Sequence, residues 1–188
     1  MKTILFVSFA ALAAVQGFGQ DYTISSLDLS PSEAAGWQWE SFADGVMGGK
    51  SELTPPANIE TESGKALLLA GRVITKGGGF IQVRLKYDEK SFDASGYTGV
   101  EIEVDARSRS SWYVFLRTRD NVFPWSYYAA AIEPTEKRSV IRIPFSDFKA
   151  ASTLRKSVRT QLLSSVALVA AFEDFNAYMR IYRVGFYK

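Results

Sequence analysis

Two glycine-rich segments carry the residues of this chain that are best suited to polar chemistry. The first, residues 44–51 (DGVMGGKS), contains Asp44 and Ser51, whose side-chain oxygens can cap backbone amides on either side of a bent loop. The second, residues 77–80 (GGGF), leads into a run that contains Arg84. An arginine fork binds carboxylate, sulfate or sugar hydroxyl groups. The pattern therefore favours a polar site at which the two segments meet.

The sequence leaves two interpretations of this site open. In the structural one, Arg84 pairs with Asp44 and fixes the first loop to a sheet, because a buried arginine needs a partner. In the functional one, Arg84 and Arg117 lie on coinciding strand faces and bind a ligand beneath the loop, with aromatic rings beside them for stacking. The predicted binding residues are Asp44, Met47, Gly48, Gly49, Ser51, Gln82, Arg84, Arg117, Trp125 and Tyr128.

The chain contains neither cysteine nor histidine, which excludes whole classes of active site. It can form no disulfide, no thiolate zinc site and no Ser-His-Asp triad. Only carboxylates and carbonyls are left to hold a metal, a set that favours calcium or magnesium. We expect no cofactor, and the sequence leaves a structural calcium ion open.

Three acidic residues alternate with apolar ones over residues 99–106, namely Glu101, Glu103 and Asp105. A pair of acids at such spacing could in principle cleave a glycosidic bond. Alternation alone, however, explains the three as one polar strand face, where crowded like charges need water or cationic neighbours. We therefore predict that the protein is not an enzyme.

Composition indicates an ordinary globular chain. Its 188 residues suggest one domain, and a hydrophobic fraction of 47% is enough for a substantial core. The 22 basic residues nearly balance the 20 acidic ones, giving a net charge of +2. This balance does not indicate a nucleic-acid partner.

Residues 1–19 are typical of a secretory signal peptide. Lys2 precedes an apolar stretch that is too short to span a membrane comfortably, and Gly17 and Gly19 supply small residues for cleavage. We predict a signal peptide over residues 1–19 and a single β-sandwich domain over residues 20–188. The product is expected in the periplasm or outside the cell, without stable membrane insertion after cleavage.

The rest of the chain has the pattern of an all-β sandwich, in which short strands are separated by turn residues. Alternation of apolar and polar residues marks several runs as half-buried strands. The run 165–172 is almost uniformly apolar, which predicts a strand covered on both sides. The predicted strands are residues 37–42, 66–70, 80–86, 99–106, 111–119, 125–132, 139–144, 165–172 and 179–186.

The chain contains a tryptophan followed by DGVMGGKS in residues 37–51, GGF and a later arginine in 77–84, YVFLRT in 113–118, and IPFSDF in 143–148. These four motifs resemble those of the complex I intermediate-associated protein family. The resemblance extends from Trp37 to about Phe186. It implies a galactose-binding-like jelly roll of two packed antiparallel sheets with little helix. It also implies a non-catalytic scaffold role, which in mitochondria is the assembly of respiratory complex I.

Two functions follow as expectations. The first is a binding or scaffold domain for a protein partner, in an assembly or chaperone-like role. The alternative is an exported carbohydrate-binding module. The surface should distinguish them, because a sugar site needs an open groove with aromatic rings and polar groups. A protein-binding site instead needs an apolar patch with a polar rim.

Overall fold

The computed structural model of the chain describes residues 22–26, 36–88, 90–107 and 111–188. The predicted signal peptide over residues 1–19 lies outside these ranges and stays a prediction. In the ranges given, no helix is long and apolar enough to cross a membrane.

Thirteen strands in the described residues form two antiparallel sheets, so the predicted all-β sandwich is confirmed. The strands are β1 (Tyr22–Ser26), β2 (Trp37–Ala43), β3 (Glu52–Leu53), β4 (Ala57–Thr61), β5 (Gly64–Val73), β6 (Phe80–Tyr87), β7 (Gly99–Ala106), β8 (Trp112–Thr118), β9 (Tyr127–Ile132), β10 (Ser139–Pro144), β11 (Lys149–Ala151), β12 (Leu163–Ala171) and β13 (Phe175–Tyr187). Short 3-10 helices cover Asp44–Met47, Phe145–Asp147 and Thr160–Leu162.

The two sheets differ in size and in strand order. The seven-stranded sheet has the order β10-β7-β13-β5-β3, with β1 also paired to β13 and β4 to β5. The six-stranded sheet has the order β11-β9-β8-β12-β6-β2. The largely apolar strand β12 therefore lies inside the smaller sheet, between β8 and β6.

The core lies between the sheets because each strand turns its apolar positions inward. On β8, Trp112, Val114 and Leu116 are buried, whereas the residues between them are only half-buried. Tyr128 on β9 also faces the core and has no exposed surface. The predicted stacking of Tyr128 on a ligand is therefore wrong, because its ring is enclosed by the protein.

The acidic face of β7 is covered by arginines that lie in, or directly before, the two neighbouring strands. The ion pairs join Glu101 to Arg142 and Arg183, Glu103 to Arg138 and Arg183, and Asp105 to Arg180. Glu101 and Asp105 are only 3% and 2% exposed. The predicted cationic neighbours are thus present. These carboxylates are occupied, so they do not form the open acid pair that glycosidic cleavage requires.

Tyr182 makes this ion-pair layer sensitive to alkaline pH. Its hydroxyl donates to Asp105 Oδ2 at 2.7 Å, and burial together with this hydrogen bond raises the pKa of Tyr182 above its ordinary value. Burial also raises the pKa of Tyr127 and Tyr187. A raised pKa means that folding favours the neutral phenol. This stabilisation is complete below the unfolded pKa of about 10 and is lost as the pH rises through the folded pKa.

We expect the melting temperature to fall as the pH rises above about 10, and Tyr182→Phe to flatten that fall. The variant should also lose about 1 kcal/mol of stability at neutral pH, because the hydrogen bond to Asp105 is removed. Thermal melts of both proteins at about pH 8, 10 and 11 measure this difference. An equally steep fall in the variant would show that Tyr182 does not contribute to it.

Candidate functional site

The first glycine-rich segment is built around a buried carboxylate. Asp44 directly follows β2, begins a short 3-10 helix and has no exposed surface. Its Oδ1 accepts a hydrogen bond from the Ser51 amide at 2.9 Å, and its Oδ2 accepts one from the Ser51 hydroxyl at 2.9 Å. The Gly79 amide also donates to Oδ2. Asp44 therefore joins the two glycine-rich segments through backbone and hydroxyl donors.

The glycines of both segments make room for this carboxylate. A Cβ atom at Gly49 would lie 2.1 Å from Asp44 Cγ, and one at Gly78 would lie 2.5 Å from Asp44 Oδ2. Gly48 has a φ of +86°, a conformation that L side chains rarely adopt. The predicted site residues Asp44, Gly48, Gly49 and Ser51 thus form one structural unit. Met47 lies at its tip and is exposed.

The predicted pairing of Arg84 with Asp44 is wrong. Arg84 lies directly opposite Glu40 in the β2–β6 register, and its Nη2 atom is 2.5 Å from Glu40 Oε2. Asp44 lies four positions further along the chain than Glu40, roughly 13 Å away in an extended strand. Arg84 also places its guanidinium carbon 4.8 Å from the centre of the Phe42 ring. Its partners are therefore β2 residues on the outer face of the sheet.

The outer face of the six-stranded sheet does bring Arg84 and Arg117 together. Strand β12 lies between β6 and β8, and its register aligns three cross-strand rows. The rows are Gln82–Val169–Tyr113, Arg84–Ala167–Phe115 and Lys86–Ser165–Arg117. Because the central member of each row is valine, alanine or serine, the longer side chains on either side form the walls of a groove. We call this feature the β12 groove.

Aromatic rings occupy one end of the β12 groove. Phe115 stacks on Tyr127 of the neighbouring strand, with ring centres 4.2 Å apart and planes at 13°. Tyr113 meets the edge of Phe172 at 5.1 Å, and Phe172 is 54% exposed. Phe80 packs with these rings over Ala167 and Val169. This packing confirms that β12 is covered on both sides.

Positive charge occupies the other end. A cavity of about 310 Å³ opens there. Its lining includes Arg84, Lys86, Asp88, Lys90, Arg117, Arg119, Asn121 and Ser165. Arg117 donates to the main-chain carbonyls of Asn121 at 3.2 Å and Phe123 at 2.9 Å. Burial, with a further contribution from the positive charge of Arg84, lowers the pKa of Arg117. The arrangement is suited to binding an anion.

The loop between β8 and β9 borders the positive end of the groove. Trp125 in this loop is 53% exposed and stacks on Phe123 with ring centres 5.3 Å apart. The Trp125 ring is thus free to contact a ligand, and its predicted stacking role stays a prediction. Gln82 is buried in the groove wall.

Several residues of the groove were not predicted. The residues that were missed line the groove or contact the residues that line it, and they are Glu40, Lys86, Lys90, Arg119 and Phe172. Their placement depends on strand register and loop course, for which the sequence carries no direct signal. Among the described residues, no group of three or more acidic side chains is arranged to hold a metal ion.

The fold is similar to that of carbohydrate-binding modules from Clostridium thermocellum. The family 11 module of the cellulosomal cellulase Lic26A-Cel5E aligns with a TM-score of 0.67 at 11% identity, covering 89% of this chain and 94% of that chain. The family 11 module in complex with a β-1,3-1,4-mixed-linked tetrasaccharide aligns at 0.65 and 10% identity, covering 89% and 95%. The family 30 module of cellulase Cel9D-Cel44B aligns at 0.58 and 12% identity, covering 89% and 96%.

At these identities the similarity shows a shared jelly-roll fold and nothing of ligand or role. Among curated proteins, none matches this chain. The model of the family "Complex I intermediate-associated protein 30 (CIA30)" matches residues 28–171, which is well over half of the chain. This protein belongs to the CIA30 family.

Proposed function

We propose that this chain is a non-catalytic glycan-binding module whose binding surface is the outer face of the six-stranded sheet. The observation that carries the proposal is the β12 groove, which has aromatic rings at one end and polar groups around a cavity at the other. A saccharide site needs ring faces for stacking and hydrogen-bonding groups beside them. Tyr113, Phe115 and Tyr127 supply the rings, while Ser165 and the arginines supply the polar groups.

The structural comparisons support this choice. Modules that share the fold are carbohydrate-binding modules, and one of them is described with a bound tetrasaccharide. The alternation of β8 adds a second argument, because it places two aromatic side chains and an arginine on one surface instead of in the core. We also propose that the protein acts in the periplasm or outside the cell, where polymeric glycans are accessible.

Affinity electrophoresis and calorimetry on the purified protein test the proposal. The panel should contain mixed-linkage β-1,3-1,4-glucan, other neutral polysaccharides, and acidic ones. We expect binding to at least one polymer, and we expect Tyr113→Ala or Tyr127→Ala to weaken it about tenfold, because a well-placed aromatic contact contributes on the order of 1–2 kcal/mol. Tyr178→Ala is the matched control, since Tyr178 is a half-buried tyrosine of the other sheet.

Absence of binding across the whole panel would contradict the proposal, as would equal losses in the Tyr113 and Tyr178 variants. The second candidate, docking of a protein partner, would then be favoured. Its supporting observation is a set of exposed apolar side chains in two loops, namely Val122, Phe123, Trp125 and Leu154. The hydroxyl of Ser126 donates to the Ser152 carbonyl at 2.7 Å and holds these two loops together.

A further inference from the structure

The positive end of the β12 groove is not neutralised by its own acidic residues. Asp88 is the one acidic residue among the described residues that line the cavity, against five lysines and arginines. Glu40 adds a second carboxylate nearby and is shared between Arg84 at 2.5 Å and Lys86 at 3.3 Å. Positive charge therefore exceeds negative charge at this end.

Arg117 is the partly buried cation of this set that lacks an acidic partner among the described residues. Its two hydrogen bonds go to main-chain carbonyls, which orient the guanidinium but carry no net charge. In the part of the chain that the structure describes, it makes no ion pair with a carboxylate. Nearby, Arg84 has a buried Nε–H without a hydrogen-bond partner. Two guanidinium groups thus retain unused capacity for an anion across the narrow floor formed by Ala167 and Ser165.

The opposite sheet provides an internal comparison. Its outward arginines Arg142, Arg180 and Arg183 each pair with a nearly buried carboxylate of β7. On that sheet, each of these three arginines is therefore neutralised by a carboxylate of the protein itself. Holding Arg117 without an acidic partner is unfavourable for the folded protein alone, because a partly buried charge loses hydration. A bound anion would compensate for this loss.

We propose that the β12 groove binds an anionic saccharide, whose ring stacks at the aromatic end while its carboxylate or sulfate group lies between Arg84 and Arg117. This inference rests on the proposed glycan-binding function. Phe115 and Arg117 are two positions apart on one face of β8, roughly 7 Å along the strand, so a single sugar unit can contact both. Arginine forks match the geometry of carboxylate and sulfate oxygens, whereas a neutral sugar would leave the charge of Arg117 uncompensated.

Pairs of polymers with the same sugar backbone, one charged and one neutral, test whether binding depends on the anionic group. Polygalacturonate against its methyl-esterified form tests a carboxylate, and dextran sulfate against dextran tests a sulfate. We expect at least one charged polymer to bind ten or more times as tightly as its neutral counterpart. Arg117→Gln should reduce that binding about tenfold and should also abolish the preference for the charged form. Lys86→Gln is a second variant at a half-exposed position, should Arg117→Gln fail to fold.

Lys137→Gln removes the same unit of charge from an exposed position outside the groove and should change binding less than twofold. Equal losses in Lys137→Gln and Arg117→Gln would show non-specific attraction and overturn the inference. Tight binding of neutral polymers without a preference for charge would overturn the inference but leave the proposed function standing. Absence of binding to every polymer would overturn both.

Discussion

Replacing Asp44 with alanine is expected to lower the free energy of unfolding by roughly 4 kcal/mol. The change leaves the Ser51 and Gly79 amides without their acceptor, and the Ser51 hydroxyl keeps only the Ile74 carbonyl, at 3.3 Å. Each unsatisfied buried donor costs about 1–3 kcal/mol. Urea melts followed by tryptophan fluorescence should show a lower midpoint with an unchanged slope, because the surface exposed on unfolding stays the same.

Glycine variants in the same loop provide the control for this prediction. Gly49→Ala should be as harmful as Asp44→Ala, because its Cβ would lie 2.1 Å from Asp44 Cγ. Gly45→Ala should stay within about 0.5 kcal/mol of the wild type, since a Cβ at Gly45 has no neighbour within 4 Å. Wild-type stability in Asp44→Ala, or equal losses in Gly49→Ala and Gly45→Ala, would show that the carboxylate does not hold the two segments together.

The strands could largely be predicted because their residues alternate. Each of the nine predicted strands overlaps an observed one, and the almost uniformly apolar run at 165–172 does lie inside a sheet. The unpredicted strands are short or lack an apolar face. Glu52–Leu53 and Lys149–Ala151 have two and three residues, which is too few for a period to appear. Ala57–Thr61 directly follows two prolines and contains one large apolar residue.

The positions of site residues could be predicted only where the alternation within a single strand determines the face on which a side chain lies. Alternation within β6 and within β8 places Arg84 and Arg117 on defined faces, and sheet pairing then brings those faces together. The partner of Arg84 depends on the β2–β6 register, which neither strand specifies alone. Tyr127 and Tyr128 illustrate another limit. The two tyrosines are adjacent and precede three alanines, so only Ile132, four positions after Tyr128, indicates which of the two rings faces the core.

The second large loss of stability is expected in the seven-stranded sheet, where the Glu101 carboxylate pairs with two arginines. Its carboxylate accepts a hydrogen bond from Arg142 Nε at 2.6 Å and another from Arg183, while its own side chain is 4% exposed. Removing one partner of a buried ion pair leaves the remaining charges uncompensated. The arginines here are partly exposed and can turn towards water, which reduces the loss below that of a fully buried pair.

Glu101→Gln should therefore lower the free energy of unfolding by about 2 kcal/mol at neutral pH. Glu60→Gln is the matched control, because Glu60 is 77% exposed and lies 3.7 Å from Lys65, which is also largely exposed. Such an exposed pair contributes about 0.5 kcal/mol or less. Urea melts of the two variants compare the same chemical change in two environments. Equal shifts of both midpoints would show that burial of Glu101 is not the source of its stabilising effect. The ion pairs of Glu101 would then contribute no more to stability than an exposed pair does.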